Sequence, residues 1–379
     1  MRVAFTHPHA SDLGGVERQA HSLAVALCDA GHEVHFFCER SDASCDPRIR
    51  IHRLRRWARP FKALRVWAFD LGCRRAIARA GPFDVVQGFG KTSLQDVYYD
   101  GSGCLRDFQQ YSIGTLPGAW RRALRRSSPH QWLVARIERA RYTPGNFRRI
   151  VAISELVRGQ ILRHYGLRPQ DVEVVYPGVD LARFRPSDDA QRRERRAELG
   201  IADDLPLIAF LGSDYRRKGL ETLLQALAQL PEAGLIAIGR DPDEADYRRR
   251  ASELGVASRV HWLGVRPDPE RWLAVADCLV FPSHFDAFGS AVLEGLACGL
   301  PAVVSRRAGA AELVVEGKTG ALVEGPGDPA AWAQAIRPFL EPARRREAGR
   351  AARSQALHHD WSRHTARMLE IYAELSGTR

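Results

Sequence analysis

Short apolar runs alternate along the chain with longer segments in which apolar residues recur at helical spacing. The first residues show the pattern clearly: residues 2–5 predict a strand, residues 16–30 a helix, and residues 31–37 a second strand. Further apolar runs predict strands at 84–86, 149–153, 207–211, 235–238, 260–263, 278–282 and 302–304. Because strands that alternate with helices build parallel sheets covered by helices, the pattern predicts an α/β protein with doubly wound sheets.

The chain has 379 residues, which is long for a single hydrophobic core and favours two domains. Pro177 and Gly178 interrupt the pattern, and residues 183–198 are polar and charged before the next strand begins. We therefore predict a first domain over residues 1–184 and a second over residues 185–358.

The segment between Asp286 and Glu294 carries the strongest chemical signal. It follows the strand predicted at 278–282, and Gly289 marks the start of a helix. The free N–H groups at a helix start favour phosphate, whereas carboxylates accept hydrogen bonds from hydroxyls. We interpret the segment as a nucleotide-sugar site, with sugar hydroxyls near Asp286 and ribose hydroxyls on Glu294. The alternative is an ordinary strand–turn–helix with a capping aspartate.

This segment resembles the Glu-x7-Glu signature of the retaining family 4 glycosyltransferases of the GT-B fold, with Asp286 in place of the first glutamate. The resemblance implies two Rossmann-like, doubly wound domains that face each other across a deep cleft. It makes 1–184 an acceptor domain, to which the last helix, 359–379, returns, and 185–358 the nucleotide-sugar donor domain. It also implies donor contacts from the segment's other residues: Ala287, Phe288, Gly289 and Ser290.

Two more glycine-containing loops match the same family. Gly14 and Gly15 open the first predicted helix, and the resemblance implies that this loop faces the donor diphosphate. Gly212, Arg217 and Lys218 follow the strand predicted at 207–211, and two cations beside a helix start suit a diphosphate leaving group. Asp286, Arg217 and Lys218 are thus the catalytic candidates, although a solvated basic turn is the simpler interpretation of adjacent cations.

No metal or cofactor is expected, because the nucleotide sugar is a co-substrate and no His/Cys/Asp cluster has metal-ligand spacing. Asp241 and Asp243 formally read D-x-D, but helix capping explains them better. Val265 and Arg266, after the strand predicted at 260–263, are base-site candidates by resemblance, which leaves UDP, GDP and ADP open.

The stretch from Phe89 to Asp100 resembles the lipopolysaccharide core glucosyltransferases, in which this loop borders the acceptor. Lys91 and Asp100 are therefore acceptor-binding candidates. A P-loop is excluded, because Val85 stands where its first glycine is needed. The implied acceptor is the lipopolysaccharide core, and the implied sugar a hexose, glucose first, from a UDP-sugar. The alternatives are family 4 enzymes of exopolysaccharide or other glycolipid assembly, and a non-catalytic nucleotide- or nucleic-acid-binding protein.

The net charge of +11 indicates an acidic partner. In residues 120–141 arginines stand beside Trp120 and Trp132, which suits an anionic membrane surface, although a solvated helix face explains the pattern equally well. Nucleic acid is the weaker alternative, because no nucleic-acid-binding signature is present. Seven scattered cysteines and the lack of a signal-peptide pattern favour a cytoplasmic protein, peripheral on the inner membrane.

Overall fold

The computed structural model describes residues 1–11, 15–43, 45–55, 62–114 and 129–377. The chain folds into two compact units: Met1–Pro177 together with Trp361–Arg379, and Gly178–Asp360. In each unit parallel strands alternate with helices, which confirms the α/β class predicted from the hydrophobic pattern.

The first unit is built on a seven-stranded parallel sheet, and two short strands pair with each other beside it. In chain order the strands are β1 (Arg2–Thr6), β2 (His9–Ala10), β3 (Glu33–Cys38), β4 (Arg40–Ser41), β5 (Arg50–Arg53), β6 (Val85–Gly88), β7 (Val97–Asp100), β8 (Arg149–Ala152) and β9 (Val172–Val174). The order across the sheet is β5-β3-β1-β6-β7-β8-β9. The chain therefore reverses direction across the sheet between β1 and β6, and open α/β sheets bind ligands at the carboxyl ends of such strands.

Helices cover this sheet and bury its strands. They are α1 (Val16–Asp29), α2 (Lys62–Ala80), α3 (Leu105–Gly114), α4 (Pro129–Arg141) and α5 (Glu155–Tyr165). Val3, Ala4 and Phe5 of β1 have no exposed surface, as expected for a strand that is covered on both faces.

The second unit contains a six-stranded parallel sheet in the order β12-β11-β10-β13-β14-β15. Its strands are β10 (Leu207–Leu211), β11 (Gly234–Ile238), β12 (Val260–Gly264), β13 (Cys278–Phe281), β14 (Ala302–Ser305) and β15 (Gly320–Val323). Its helices are α6 (Asp189–Glu198), α7 (Tyr215–Lys218), α8 (Leu220–Leu227), α9 (Glu244–Glu253), α10 (Pro269–Leu273), α11 (Ser290–Ala297), α12 (Pro329–Ile336) and α13 (Pro342–Ala356). The strands β10 and β13 are neighbours, so the loops that follow them lie side by side.

The boundary between the units lies at Pro177/Gly178, whereas the sequence placed it at 184/185. The turn at 178–184 packs on the second unit. Arg353 of α13 donates hydrogen bonds to the carbonyl oxygens of Phe184 (2.7 Å) and Leu181 (3.1 Å), and these bonds explain the earlier boundary.

The last helix, α14 (Trp361–Ser376), belongs to the first unit and packs on α1 and β6. Glu374 pairs with Arg149 of β8 at 3.3 Å, and the Tyr372 hydroxyl donates to the side chain of Gln87 in β6. His364 is 4% exposed, and its Nδ1 lies 2.9 Å from the carbonyl oxygen of Tyr176. Burial lowers the pKa of His364 to about 4, although the bond to Tyr176 opposes the shift.

We expect the first unit to lose stability as the pH falls from about 6.5 to about 4. In that range an unfolded histidine binds a proton that the buried His364 ring excludes. The unfolded state therefore binds more protons, and the free energy of unfolding falls as the pH falls. A shift of this size corresponds to roughly 3 kcal/mol at its full extent.

Urea unfolding of the wild type and of His364→Gln across that pH range isolates the contribution of His364 to the pH dependence of the free energy of unfolding. His7, His32 and His52 also have lowered pKa values and contribute to the slope in both proteins. The variant should show a clearly shallower dependence on pH. Equal slopes would contradict the role given to His364.

Candidate active site

The carboxyl ends of the strands in the second unit carry most of the residues predicted to bind a donor. Because parallel strands end at the same edge of a sheet, the loops that follow them share that edge. The residues are Gly212, Arg217 and Lys218 after β10, Val265 and Arg266 after β12, and Ala287, Phe288, Gly289 and Ser290 after β13.

Asp286 forms the centre of this edge. Its Oδ2 atom accepts a hydrogen bond from Nη1 of Arg217 at 2.8 Å and another from Nζ of Lys218 at 2.5 Å. Its Oδ1 atom lies 3.3 Å from the backbone nitrogen of Phe288. Only 13% of the Asp286 side chain is exposed, so the three charged groups form a compact ion-paired cluster largely shielded from water.

Each cation of the cluster has a second anchor. Arg217 donates through Nε to Asp214 at 2.9 Å and through Nη1 to the carbonyl oxygen of Phe285 at 3.1 Å. The Lys218 ammonium lies 4.4 Å from the centre of the Phe281 ring, a distance at which the aromatic face attracts a cation. Both side chains are therefore held against β13 and the loop that leads from it to α11.

Burial and charge act in opposite directions on the cluster. Burial alone would raise the pKa of Asp286, but the charges of Lys218 and Arg217 lower it overall, so the carboxylate is ionised. The pKa of Lys218 is lowered, because burial outweighs the attraction of Asp286. The two cations predicted to contact a diphosphate are thus bonded to a carboxylate of the protein itself.

Backbone contacts fix the loop that presents Asp286. The Asp286 N–H donates to the carbonyl oxygen of Arg307 at 3.1 Å, and its own carbonyl accepts from Gly309 at 3.1 Å. Gly289 has φ of 95°, and a Cβ there would lie 2.8 Å from the Phe281 ring. Glycine is therefore required at the start of α11, where it leaves the first helical N–H groups without a side-chain cap.

The predicted ribose and base residues lie on the same unit. Glu294 is in the second turn of α11 and is 6% exposed. Val265 is 66% exposed, and the Arg266 guanidinium lies 5.1 Å from the centre of the Trp272 ring, which holds the loop after β12 against α10. Gly212 is bonded to β11 through its N–H and packs against the aliphatic part of Lys218.

The D-x-D sequence has a structural role that differs from the one expected. Asp241 accepts hydrogen bonds from the backbone nitrogens of Tyr215 (2.7 Å) and Asp243 (2.9 Å), and so caps α7. Asp243 stands before α9 but makes no side-chain capping bond. Within the described parts of the chain, no group of three or more His, Cys, Asp and Glu side chains is arranged to hold a metal ion.

The predicted residues of the first unit are more scattered. Gly15 precedes α1, and Gly14 lies outside the described residues. Lys91 is exposed and has φ of 61°, a left-handed conformation that is costly for a residue with a side chain and is often found at functional sites.

Asp100 does not fit the predicted acceptor contact. It is fully buried, and its carboxylate accepts hydrogen bonds from the Tyr142 hydroxyl (2.6 Å) and from the N–H groups of Gly103 (3.0 Å) and Ser102 (3.3 Å). Burial raises the pKa of Asp100, against the effect of these bonds. The buried Asp100 carboxylate thus stabilises the turn after β7.

The basic stretch 120–141 divides into parts with different surroundings. Residues 120–128 lie outside the described residues. In α4, Trp132 is 66% exposed with Arg136 above its ring, and Arg139 is also exposed. Ile137 and Arg141 are buried instead, and Arg141 donates to the Tyr98 hydroxyl at 2.5 Å, so these two cannot form part of a surface patch.

Two residues with clear structural roles in the second unit were not predicted from the sequence. Asp214 has φ of 61° and holds Arg217, and Arg183 bonds the loop after β12. The position of Asp214, just before Arg217 and Lys218 in a glycine-containing loop, could have predicted its ion pair with Arg217. No sequence pattern predicts the role of Arg183, because its partners lie more than 80 residues away.

Comparison with known proteins supports the same class of enzyme. Residues 13–183 match the family model described as Glycosyltransferase Family 4, and residues 191–355 match that described as Glycosyl transferases group 1. A D-inositol 3-phosphate glycosyltransferase of Xylanimonas cellulosilytica is 29% identical over 98% of this chain and 94% of its own. One from Catenulispora acidiphila is 35% identical over 59% of this chain and 56% of its own.

Solved structures share the fold at low sequence identity. WaaG, a glycosyltransferase involved in lipopolysaccharide biosynthesis, superimposes with a TM-score of 0.84 at 23% identity over 98% of this chain and 99% of its own. Anabaena HepE in complex with UDP-glucose gives 0.75 at 20% identity over 99% of this chain and 100% of its own.

The fold, the two family matches and the composition of the site define a glycosyltransferase of the GT-B fold. Most of its first unit matches the model described as Glycosyltransferase Family 4, and most of its second unit matches the model described as Glycosyl transferases group 1.

We expect Asp286→Asn to bind inorganic pyrophosphate more tightly than the wild type does. The substitution removes the carboxylate that neutralises Arg217 and Lys218, and a gain of about ten-fold corresponds to roughly 1.4 kcal/mol. Titration calorimetry at constant ionic strength measures it.

Asp214→Asn is the matched control, since Asp214 also pairs with Arg217 but is 55% exposed and screened by solvent. Its affinity should stay near that of the wild type. Unchanged or weaker binding by Asp286→Asn would contradict the competition between carboxylate and phosphate.

Proposed function

We propose that this glycosyltransferase moves a hexose, glucose in the first instance, from a UDP-sugar with retention of the anomeric configuration. The observation that carries the proposal is the pair of cations, Arg217 and Lys218, beside the uncapped start of α11. HepE has been solved with UDP and with UDP-glucose, which supports a uridine nucleotide as the first ligand to try.

The cations are suited to the leaving group. As the bond between the sugar C1 and the phosphate oxygen breaks, negative charge grows on the diphosphate. The protein holds Arg217 and Lys218 in place. Once the phosphate of the bound donor has displaced Asp286 from them, they can stabilise that charge together with the N–H groups of Gly289 and Ser290. These groups supply the positive charge for departure, so we propose turnover without an added divalent metal.

The acceptor hydroxyl attacks C1 from the face that the diphosphate leaves, and its proton passes to the departing phosphate oxygen. We assign no covalent role to Asp286, because both cations hold its Oδ2 atom. In this scheme Asp286 orients a hydroxyl of the donor sugar once phosphate has taken its place on the cations.

For the acceptor we propose the lipopolysaccharide core at the cytoplasmic face of the inner membrane, with another glycolipid as the alternative. The resemblance of the loop at 89–100 to core glucosyltransferases and the fold similarity to WaaG support it. The relatives named D-inositol 3-phosphate glycosyltransferases favour a second candidate, a small phosphorylated polyol. Exposed Lys91 suits the anionic groups of either acceptor.

The experiment is a transfer assay with UDP-glucose in the presence of EDTA, using core oligosaccharide and D-inositol 3-phosphate as acceptors in parallel. Transfer to the oligosaccharide with an α-linked product in the NMR spectrum is the expected result. Transfer only to the inositol phosphate would select the second candidate. A β-linked product or loss of activity with EDTA would refute the retaining or the metal-free mechanism.

Two substitutions should separate donor binding from chemistry. Lys218→Met should lower kcat at least ten-fold with a smaller change in donor affinity, because the charge it meets grows in the transition state.

Glu294→Gln should weaken UDP binding by about ten-fold or more, because a charged acceptor for the ribose hydroxyls is lost. Full kcat in the lysine variant, or unchanged UDP affinity in the glutamate variant, would refute the respective role.

We also propose that the first unit binds anionic membranes. Trp132 of α4 and Leu64 and Trp67 of α2 are each at least half exposed, and these two helices pack together. Exposed aromatic and aliphatic side chains next to Arg136 and Arg139 suit a headgroup region rich in anionic lipid. In the described parts of the chain, no helix has the length and apolarity that crossing a bilayer requires.

Arg136→Gln/Arg139→Gln should weaken the affinity for vesicles that contain anionic lipid, measured by co-sedimentation, by about 30-fold, since each of the two arginines near such a surface contributes about 1 kcal/mol. Arg248→Gln/Arg249→Gln on α9 of the second unit removes the same charge elsewhere and is the control. Equal losses in the two variants, or wild-type binding that is indifferent to salt and lipid charge, would refute this surface.

A further inference from the structure

Arg183 connects the turn that opens the second unit to the loop after β12. Its Nη2 atom donates a hydrogen bond to the carbonyl oxygen of Pro267 at 2.6 Å and forms an ion pair with Oε2 of Glu270 at 2.9 Å. Pro267 directly follows the base-site candidates Val265 and Arg266, and Glu270 lies in α10. One guanidinium therefore links the C-terminal part of this loop to the helix that follows it.

The turn that carries Arg183 is itself fixed. Oδ1 of Asp180 accepts hydrogen bonds from the N–H groups of Ala182 and Arg183, each at 3.0 Å. Arg353 bonds the carbonyl oxygen of Phe184 at 2.7 Å and that of Ala297, the last residue of α11, at 2.6 Å. The turn is thus anchored to the helix that carries Glu294.

The charges around Arg183 agree with this placement. Partial burial would lower its pKa, but the pKa is raised, because Glu270 bonds the guanidinium and Glu270, Glu294 and Asp180 add negative charge. Arg183 therefore lies within the electrostatic field of the proposed ribose-binding carboxylate as well as in contact with the proposed base-binding loop.

We propose that Arg183 is a positioning residue for the nucleoside half of the donor. It holds the loop at 265–267 in a fixed position relative to Glu294, so that the loop can contact the base while Glu294 contacts the ribose. This inference rests on the proposed donor site. The loop is ordered before the nucleotide arrives, and binding does not have to order it. The diphosphate is held by Arg217 and Lys218, which Arg183 does not contact in the described structure.

The test compares UDP with pyrophosphate by titration calorimetry. Arg183→Met keeps the aliphatic length and loses both polar contacts, so UDP affinity should fall about ten-fold while pyrophosphate affinity stays within two-fold of the wild type. The KM for the UDP-sugar should rise by a similar factor with kcat little changed. Arg183→Lys retains a donor for Pro267 and should recover part of the UDP affinity.

Arg271→Met is the matched control. Arg271 is in α10 and has a similar exposure (41% against 39%), but it lies over the Trp272 ring and pairs with Glu198. Its UDP affinity should equal that of the wild type. Should Arg183→Met fail to fold, Glu270→Gln removes the ion pair alone and should weaken UDP by a smaller, still selective factor.

The outcomes separate the two hypotheses. A wild type that binds pyrophosphate but not UDP refutes the proposed nucleotide site. A wild type that binds UDP together with an Arg183→Met variant that binds it equally well overturns the positioning role. Parallel losses of UDP and pyrophosphate affinity would also overturn it, because a general defect of the fold lowers both.

Discussion

The two hydrogen bonds from Arg217 and Lys218 to one oxygen of Asp286 connect the loops that follow β10 and β13 in the second unit. Removing charged groups from water costs several kcal/mol each unless a counterion compensates. Two cations cannot be kept largely buried and close to each other without such an anion. Asp286 therefore allows the chain to keep two positive charges close together at the carboxyl ends of β10 and β13.

The parallel sheet makes this cluster possible. Strands β10 and β13 are neighbours in the second sheet although 66 positions separate their last and first residues, Leu211 and Cys278. The cations follow one strand, and the carboxylate follows the other. Gly289 then lets α11 begin against the Phe281 ring, which the Lys218 ammonium also contacts. Fold and site chemistry are thus consequences of one topology.

The sequence predicted what depends on local pattern. Alternating apolar runs predicted the central strands of both sheets but missed β5, β7, β9 and β15. Glycine-containing loops marked the turns that carry Arg217, Lys218 and Gly289, whose role in donor binding stays a prediction. Contacts between segments that are far apart in the sequence have no local pattern from which they could be predicted. Asp100 looked available, but Tyr142, 42 residues later, covers it. The pairing of Asp286 with Arg217 joins residues 69 apart, and that of Arg183 with Pro267 joins residues 84 apart. Such pairs depend on packing, which no short motif encodes.

A crystal structure of the complex with UDP would test the role of the Asp286 cluster most directly. The β-phosphate oxygens should lie within hydrogen-bond distance of Arg217 Nη1 and Lys218 Nζ, and the Asp286 carboxylate should have moved off at least one of the two cations. The account would be contradicted by a bound UDP whose phosphates contact neither cation while Asp286 keeps both bonds.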